Sequence, residues 1–298
     1  MSPLPPLPLD EWRDTKDTLH LFVQVVGKVR LALHPWRNHW WHAALYVSPV
    51  GLTTHAIPYG DRVLEIDFDF AERALTAATS DGGRDSFALP GLSVKDFYER
   101  TLELLHRLEI EVEIKPTPYG VPMDEPFTVD ATHASYDREY VERFYRALVF
   151  AHNVLQEFAG RFGGKASPVH LFWHSLDLAY TRFSGRRAPE LPDADAVTRE
   201  AYSHEVISFG FWAGDDRIPF PAFYSYTAPA PDGLTETPLR PATAYWQAEG
   251  GPLALLPYDV VRTAADPAAT LLDFFESAYE AGAKLAAWDV DALRAGPL

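Results

Sequence analysis

The sequence predicts an α+β protein of two similar halves, each an antiparallel sheet flanked by helices, and three patterns carry that prediction. Apolar residues at helical spacing open both halves. Alternating apolar and polar residues follow. A Trp-His pair stands near the start of each sheet, at Trp41-His42 and Trp173-His174. With 298 residues, each half is long enough to bury a core of its own.

Residues 1–9 form a proline-rich arm, and with the C-terminal tail they are the segments expected to be loose. The first half spans 10–115. Leu19, Phe22, Val23, Val26, Val29 and Leu33 lie on one helical face within 10–33, although β-branched valines disfavour helix. Gly27-Lys28 is expected to end this helix. A strand over 43–47 follows, and Leu64, Ile66, Phe68 and Phe70 alternate with acidic residues as in a sheet with one wet face. Strands over 73–79 and 84–89 flank Ser80-Asp81-Gly82-Gly83, a hairpin turn. Ser93 caps a helix that reaches Leu108, and a strand over 111–115 closes the half.

The proline-rich stretch 116–135 reads as a linker to the second half, 136–290, with a tail over 291–298. A helix is predicted over 136–162, then strands over 168–183, 204–213, 221–228, 243–248 and 253–262. Asp266-Pro267 is an N-cap followed by proline at the first helical position, so a last helix runs to about Trp288. Gly164-Lys165 precedes the second sheet as Gly27-Lys28 precedes the first. That shared order admits an internal duplication, with two unrelated α+β halves as the alternative.

Composition excludes several functions. The 26 Lys and Arg face 42 Asp and Glu, a formal net charge of −16 that repels nucleic acid and anionic membranes. Cysteine is absent, which removes disulfides, thiolate nucleophiles and Cys-ligated metals. The N-terminus has neither a basic residue nor an apolar run of about 7–15 residues, and no stretch reaches about 18 apolar residues. A cytoplasmic location is the expectation.

Of eleven histidines, His34, His39, His42, His170, His174 and His204 lie beside aromatic or β-rich segments. Imidazole is the usual acid–base group near neutrality and the commonest metal ligand. On one strand His170 and His174 would stand about 13 Å apart, too far to share a metal. A metal site would need ligands from separate segments, and no motif such as H-E-x-x-H is present. No metal ligands are therefore assigned. Arg182, Arg186 and Arg187 gather around Ser184-Gly185, where guanidinium forks could hold a carboxylate or phosphate, or could pair with the surplus acids instead. Ser203-His204-Glu205 cannot converge as a triad from one strand, but Asp177 could orient His204 if their strands pair. Trp36, Trp40, Trp41, Trp173, Trp212, Tyr224, Tyr226 and Trp246 could line a pocket or pack between sheets.

Gly27-Lys28-Val29-Arg30-Leu31-Ala32-Leu33, Asn38-His39-Trp40-Trp41-His42, Thr181 through Pro189, Arg199 through Glu205 and Pro257-Tyr258-Asp259 together resemble the bacterial domain-of-unknown-function 5996 family. The resemblance extends over roughly residues 10–290. It implies no activity and transfers no catalytic residue. Lys28, His39, His42, His170, Asp177, Arg182, Arg187 and His204 fit its pattern, whereas His174 stands where the pattern has a small residue.

The leading expectation is a protein that binds a small anionic molecule in a cleft between the halves, or an acid–base enzyme acting there. Arg182, Arg186, Arg187, Lys28, His39 and His42 would bind the ligand, His204 and His170 would move protons, and Asp177 would orient a histidine. The alternatives are a non-catalytic interaction protein and a metal-dependent enzyme with His and carboxylate ligands. Cofactor, substrate, reaction and oligomeric state stay unknown at this level.

Overall fold

The computed structural model describes residues 3–296 and has the predicted α+β architecture, two six-stranded antiparallel sheets flanked by helices. The first element, α1 (Leu9–Leu33), is a central helix in which every residue from Leu19 to Arg30 is buried. A valine costs a helix up to about 0.7 kcal/mol, whereas burying its side chain contributes about 1.5 kcal/mol or more. Burial therefore decides the conformation. Gly27 does not end this helix. A Cβ there would lie 2.2 Å from Trp173 Cδ1, so the glycine admits an indole from the other half.

In the first sheet, β1 (Tyr46–Val47), β2 (Gly51–Thr53), β4 (Arg62–Asp69), β5 (Ala74–Thr79) and β6 (Arg84–Ala88) are neighbours in that order, and β3 (Ile57–Tyr59) pairs with β4. Leu64, Ile66 and Phe68 are buried and their acidic neighbours are half-exposed, as the alternation predicts. Helix α2 (Val94–Arg107) begins with a capping box between Ser93 and Asp96. Phe97 of α2 stacks on Phe22 and Phe68, with ring centroids 4.0 and 6.0 Å away, joining helices to sheet.

Residues 111–115 do not form a strand. Val112 and Ile114 pack on the core, but the backbone finds no ladder, and Glu111 N donates to Tyr59 Oη at 3.0 Å instead. The stretch 116–135 has no helix or strand, yet Phe127 and Asp130 are fully buried.

Helix α3 (Arg138–Ala159) is capped by Asp137, and the second sheet follows. Its order is β11 (Tyr245–Gln247), β12 (Leu253–Pro257), β10 (Ala222–Ala228), β9 (His204–Trp212), β8 (Asp177–Arg187), β7 (His170–Phe172). The single strand expected over 168–183 is two strands around a turn at 173–176. The strand expected over 253–262 stops at Pro257, after which α5 (Tyr258–Arg262) begins. The short helix α4 (Ala196–Ala201) lies between β8 and β9. Helix α6 (Pro267–Leu285), capped by Asp266, covers one face of this sheet together with α3.

The halves share one continuous core. Leu45 and Leu171 exchange backbone hydrogen bonds of 2.9 and 2.7 Å, which stitches the two sheets edge to edge. The N-terminal arm is docked rather than loose: Leu7 is buried, and Tyr258 Oη donates to Pro5 O at 3.0 Å. The tail is also held, through Gly163 N to Leu293 O at 2.8 Å. No helix among the described residues is long and apolar enough to cross a membrane.

Candidate functional site

Alternation along β8 sends its side chains to two different environments. Leu178, Tyr180 and Arg182 turn toward α3 and α6. Asp177, Ala179, Thr181 and Phe183 face the other way, onto a cavity of about 800 Å³. The floor continues through Val206 and Ser208 of β9 and Tyr224 and Tyr226 of β10. The first half supplies much of the remaining wall through Lys28, Leu31, His39, Trp40 and Trp41, with Lys115 and Tyr119 from the irregular stretch and α4 along one side. The cavity therefore lies between the halves. Six of the eight aromatic residues considered for a pocket line it, Trp36 and Trp246 being the exceptions.

Asp177 is buried on this wall and accepts hydrogen bonds from Ser175 Oγ and Tyr224 Oη. Tyr224 reaches it by lying across Gly210, where a Cβ would come within 2.5 Å of the phenol and 2.3 Å of Leu178 O. A glycine in mid-strand is explained by that close approach. Burial first, and Asp177 second, push the Tyr224 phenol well above its ordinary pKa, so it stays a donor. Tyr224 stacks on Tyr226, whose hydroxyl lies 3.2 Å from that of Tyr202.

Lys28 enters from α1. It is 8% exposed, and its Nζ lies 5.4 Å from the Trp173 ring centroid and 5.9 Å from that of Phe127. Burial and the nearby Lys115 lower its pKa, and no carboxylate offsets them. The Gln24 side chain holds Tyr119 opposite, donating to its carbonyl at 3.0 Å and accepting from its N–H at 2.9 Å. The turn between β7 and β8 brings Trp173, His174 and Ser175 into the wall, with Leu176 in the left-handed region at φ 53°. His20, fully buried under that turn, bonds the Trp173 carbonyl at 3.0 Å. His174 is half-buried; burial lowers its pKa and Asp177 opposes the shift.

His39 sits at the rim in a tight turn where it and Trp40 both have left-handed backbones, φ 55° and 59°. Two consecutive non-glycine residues there store strain, which clusters at functional sites. The backbone N–H of His39 donates to Glu200 Oε1 at 2.9 Å, and its Nδ1 lies 3.2 Å from the Glu200 carbonyl. A carbonyl can only accept, so Nδ1 carries the proton and Nε2 accepts from Lys165 Nζ at 2.7 Å. These bonds fasten α4 beside the cavity. Burial and the Lys165 ammonium lower the His39 pKa, keeping it neutral.

Of the other residues singled out from sequence, none lines the cavity. His204 packs beside His39, ring centroids 5.5 Å apart, and its Nδ1 meets Ser203 Oγ at 3.1 Å. Asp177 and His204 are at opposite ends of the β8–β9 pairing, opposite Trp212 and Arg187 respectively, so the carboxylate does not orient that histidine. His42 is buried against the Arg37 carbonyl at 3.2 Å. His170 is wholly buried beside Phe172, and both ring nitrogens lack a partner among the described residues. Arg182 lies on the sheet's other face, its guanidinium 3.6 Å from the Phe158 ring centroid. Arg186 pairs with Glu205 at 2.7 Å and donates to the Ala286 and Ala287 carbonyls after α6. Arg187 is exposed. The three arginines thus occupy three separate environments. Among the described residues no three of His, Asp and Glu are placed to hold a metal ion.

Sequence reasoning set His174 aside, yet the turn places it in the wall. Lys115, Tyr202 and Gly210 also went unmarked. Gly210 alone carried a signal, as a glycine in the middle of an aromatic strand.

No curated protein and no solved structure matches the chain. Residues 4–295 match the model of a family of unknown function (DUF5996), and the chain belongs to that family.

Proposed function

We propose that the protein binds a small organic anion in the cavity between its halves and acts on it by proton transfer. The observation that carries this reading is Lys28, a buried cation with aromatic rings around it and no carboxylate partner among the described residues. A partly desolvated ammonium that opens onto a cavity is stabilised by an anion that enters with a ligand. The neighbouring Lys115 draws the anionic group to the same end, and the aromatic walls suit a planar or apolar body. Asp177 retains acceptor capacity after its two hydroxyl bonds, so a ligand hydroxyl or amine can meet it. His174, beside Asp177, supplies an imidazole for proton transfer. The net charge of −16 disfavours nucleic-acid and anionic-membrane partners.

Phenylacetate tests the reading, because it combines a planar ring with a carboxylate. Four tryptophans line the cavity, so titration is followed by their emission. Lys28→Met weakens binding on the order of tenfold, the worth of one charge-assisted hydrogen bond, while Arg186→Ala leaves it unchanged. Equal affinities in wild type and Lys28→Met, or no saturable change in wild type, would count against it.

A further inference from the structure

The two lysines at this end of the cavity are not equivalent. Lys115 is exposed, so its ammonium stays hydrated. Lys28 is buried, faces the cavity and has neither a hydrogen bond nor an ion pair among the described residues. Lys16, the other buried lysine, is satisfied by the Gly214 carbonyl at 3.3 Å and by Asp17 at 3.1 Å. An amine desolvated in an apolar pocket beside a second cation is the arrangement that activates lysine as a nucleophile toward carbonyl groups.

We infer that Lys28 forms an imine with its ligand, and that the ligand class is oxo acids whose carboxylate meets Lys115 and whose apolar body lies on the aromatic walls. The inference rests on the cavity being the ligand site, as proposed above. The lowered pKa of Lys28 agrees with it, since burial and Lys115 both favour the neutral amine. The chemistry balances without an oxidant or reductant. Lys28 Nζ gives up one proton and its lone pair forms the C–N bond, while the carbonyl π pair moves to oxygen, which takes the second proton that the nitrogen loses. The hydroxyl of this carbinolamine takes a second proton and leaves as water. Ammonium and ketone become iminium and water. His174 is a neutral imidazole in the same wall and can receive the Nζ proton and return it to the departing hydroxyl.

The experiment treats the full-length protein with phenylpyruvate and sodium cyanoborohydride, which fixes an imine as a stable amine, and maps the adducts by mass spectrometry. Modification of Lys28 on the order of tenfold faster than of the exposed Lys284, slowed by phenylacetate, is the expected result. Lys28→Arg keeps the charge, so it retains phenylacetate binding and loses the fast adduct. If that variant fails to fold, the wild-type map decides alone. Phenylacetate binding with Lys28 labelled no faster than Lys284 overturns the imine and leaves the cavity reading standing. Loss of both binding and labelling overturns both.

Discussion

The two faces of the second sheet answer the same electrostatic problem in opposite ways. On the helical face, Arg182 is buried without a carboxylate partner, but its Nη2 donates to Phe158 O at 2.6 Å, a carbonyl in the last turn of α3. The helix dipole favours a cation there, and the Phe158 and Tyr279 rings flank the guanidinium at 3.6 and 4.5 Å. On the cavity side, Lys28 has rings at 5.4 and 5.9 Å and open space. A carbonyl and aromatic rings enclose the first cation, although its Nε–H has no acceptor among the described residues. The second opens onto the cavity. Burial and charge alone therefore do not separate the two; what differs is that Lys28 opens onto the cavity and Arg182 does not.

Arg182→Ala should break the helical face most severely. It removes a large buried side chain and the C-terminal bond of α3, at a cost of about 3–5 kcal/mol. Denaturant unfolding would show this, and a loss under about 1 kcal/mol would mean that the aromatic cage holds without its cation. Gly210→Ala comes next, since the new methyl meets both a backbone carbonyl and Tyr224. About 2 kcal/mol is expected from overpacking, together with displacement of the phenol from Asp177. Tyr224→Phe should likewise free Asp177 of the phenol's hydrogen bond, without the overpacking.

Histidine burial makes a pH-dependent prediction. Burial holds His170 and His20 down to about 3, with Arg30 and Lys16 adding to the shift, against an ordinary value of 6.5. Above pH 6.5 both folded and unfolded chains are neutral at these sites, so their contribution to stability is fully present. As pH falls from 6.5 toward 3 only the unfolded chain takes up protons, and stability drops by about 1.4 kcal/mol per pH unit for each histidine. His170→Phe should remove one such slope, and at neutral pH should add about 1 kcal/mol by deleting unpaired buried nitrogens. Urea midpoints measured across this range would show both effects. The smallest stability effect is assigned to Lys28→Met, within about 1 kcal/mol of wild type, because its charge contributes little without a partner. Its effect falls on ligand affinity.

The elements that were legible in the sequence are those with strong local signals. The alternation in β4, the capping box at Ser93 and the Asp266-Pro267 start of α6 each state their structure within a few residues. Gly27 misled because its reason lies in the other half, where Trp173 needs the space. Residues 111–115 misled because alternation describes a half-buried extended chain whether or not a partner strand exists. Lys28, His39 and Asp177, singled out from the sequence, all line the cavity. Arg182 was chosen for its charge, but strand parity turns it to the opposite face, and nothing local reveals which face is open. His174 was passed over because a short turn, rather than a continuous strand, directs it.

A crystal structure of the protein soaked with phenylacetate tests the central claim most directly. The account predicts its ring against the aromatic wall of the cavity and its carboxylate within hydrogen-bonding reach of Lys28 Nζ. Phenylacetate bound elsewhere, with Lys28 still unpaired, would contradict it.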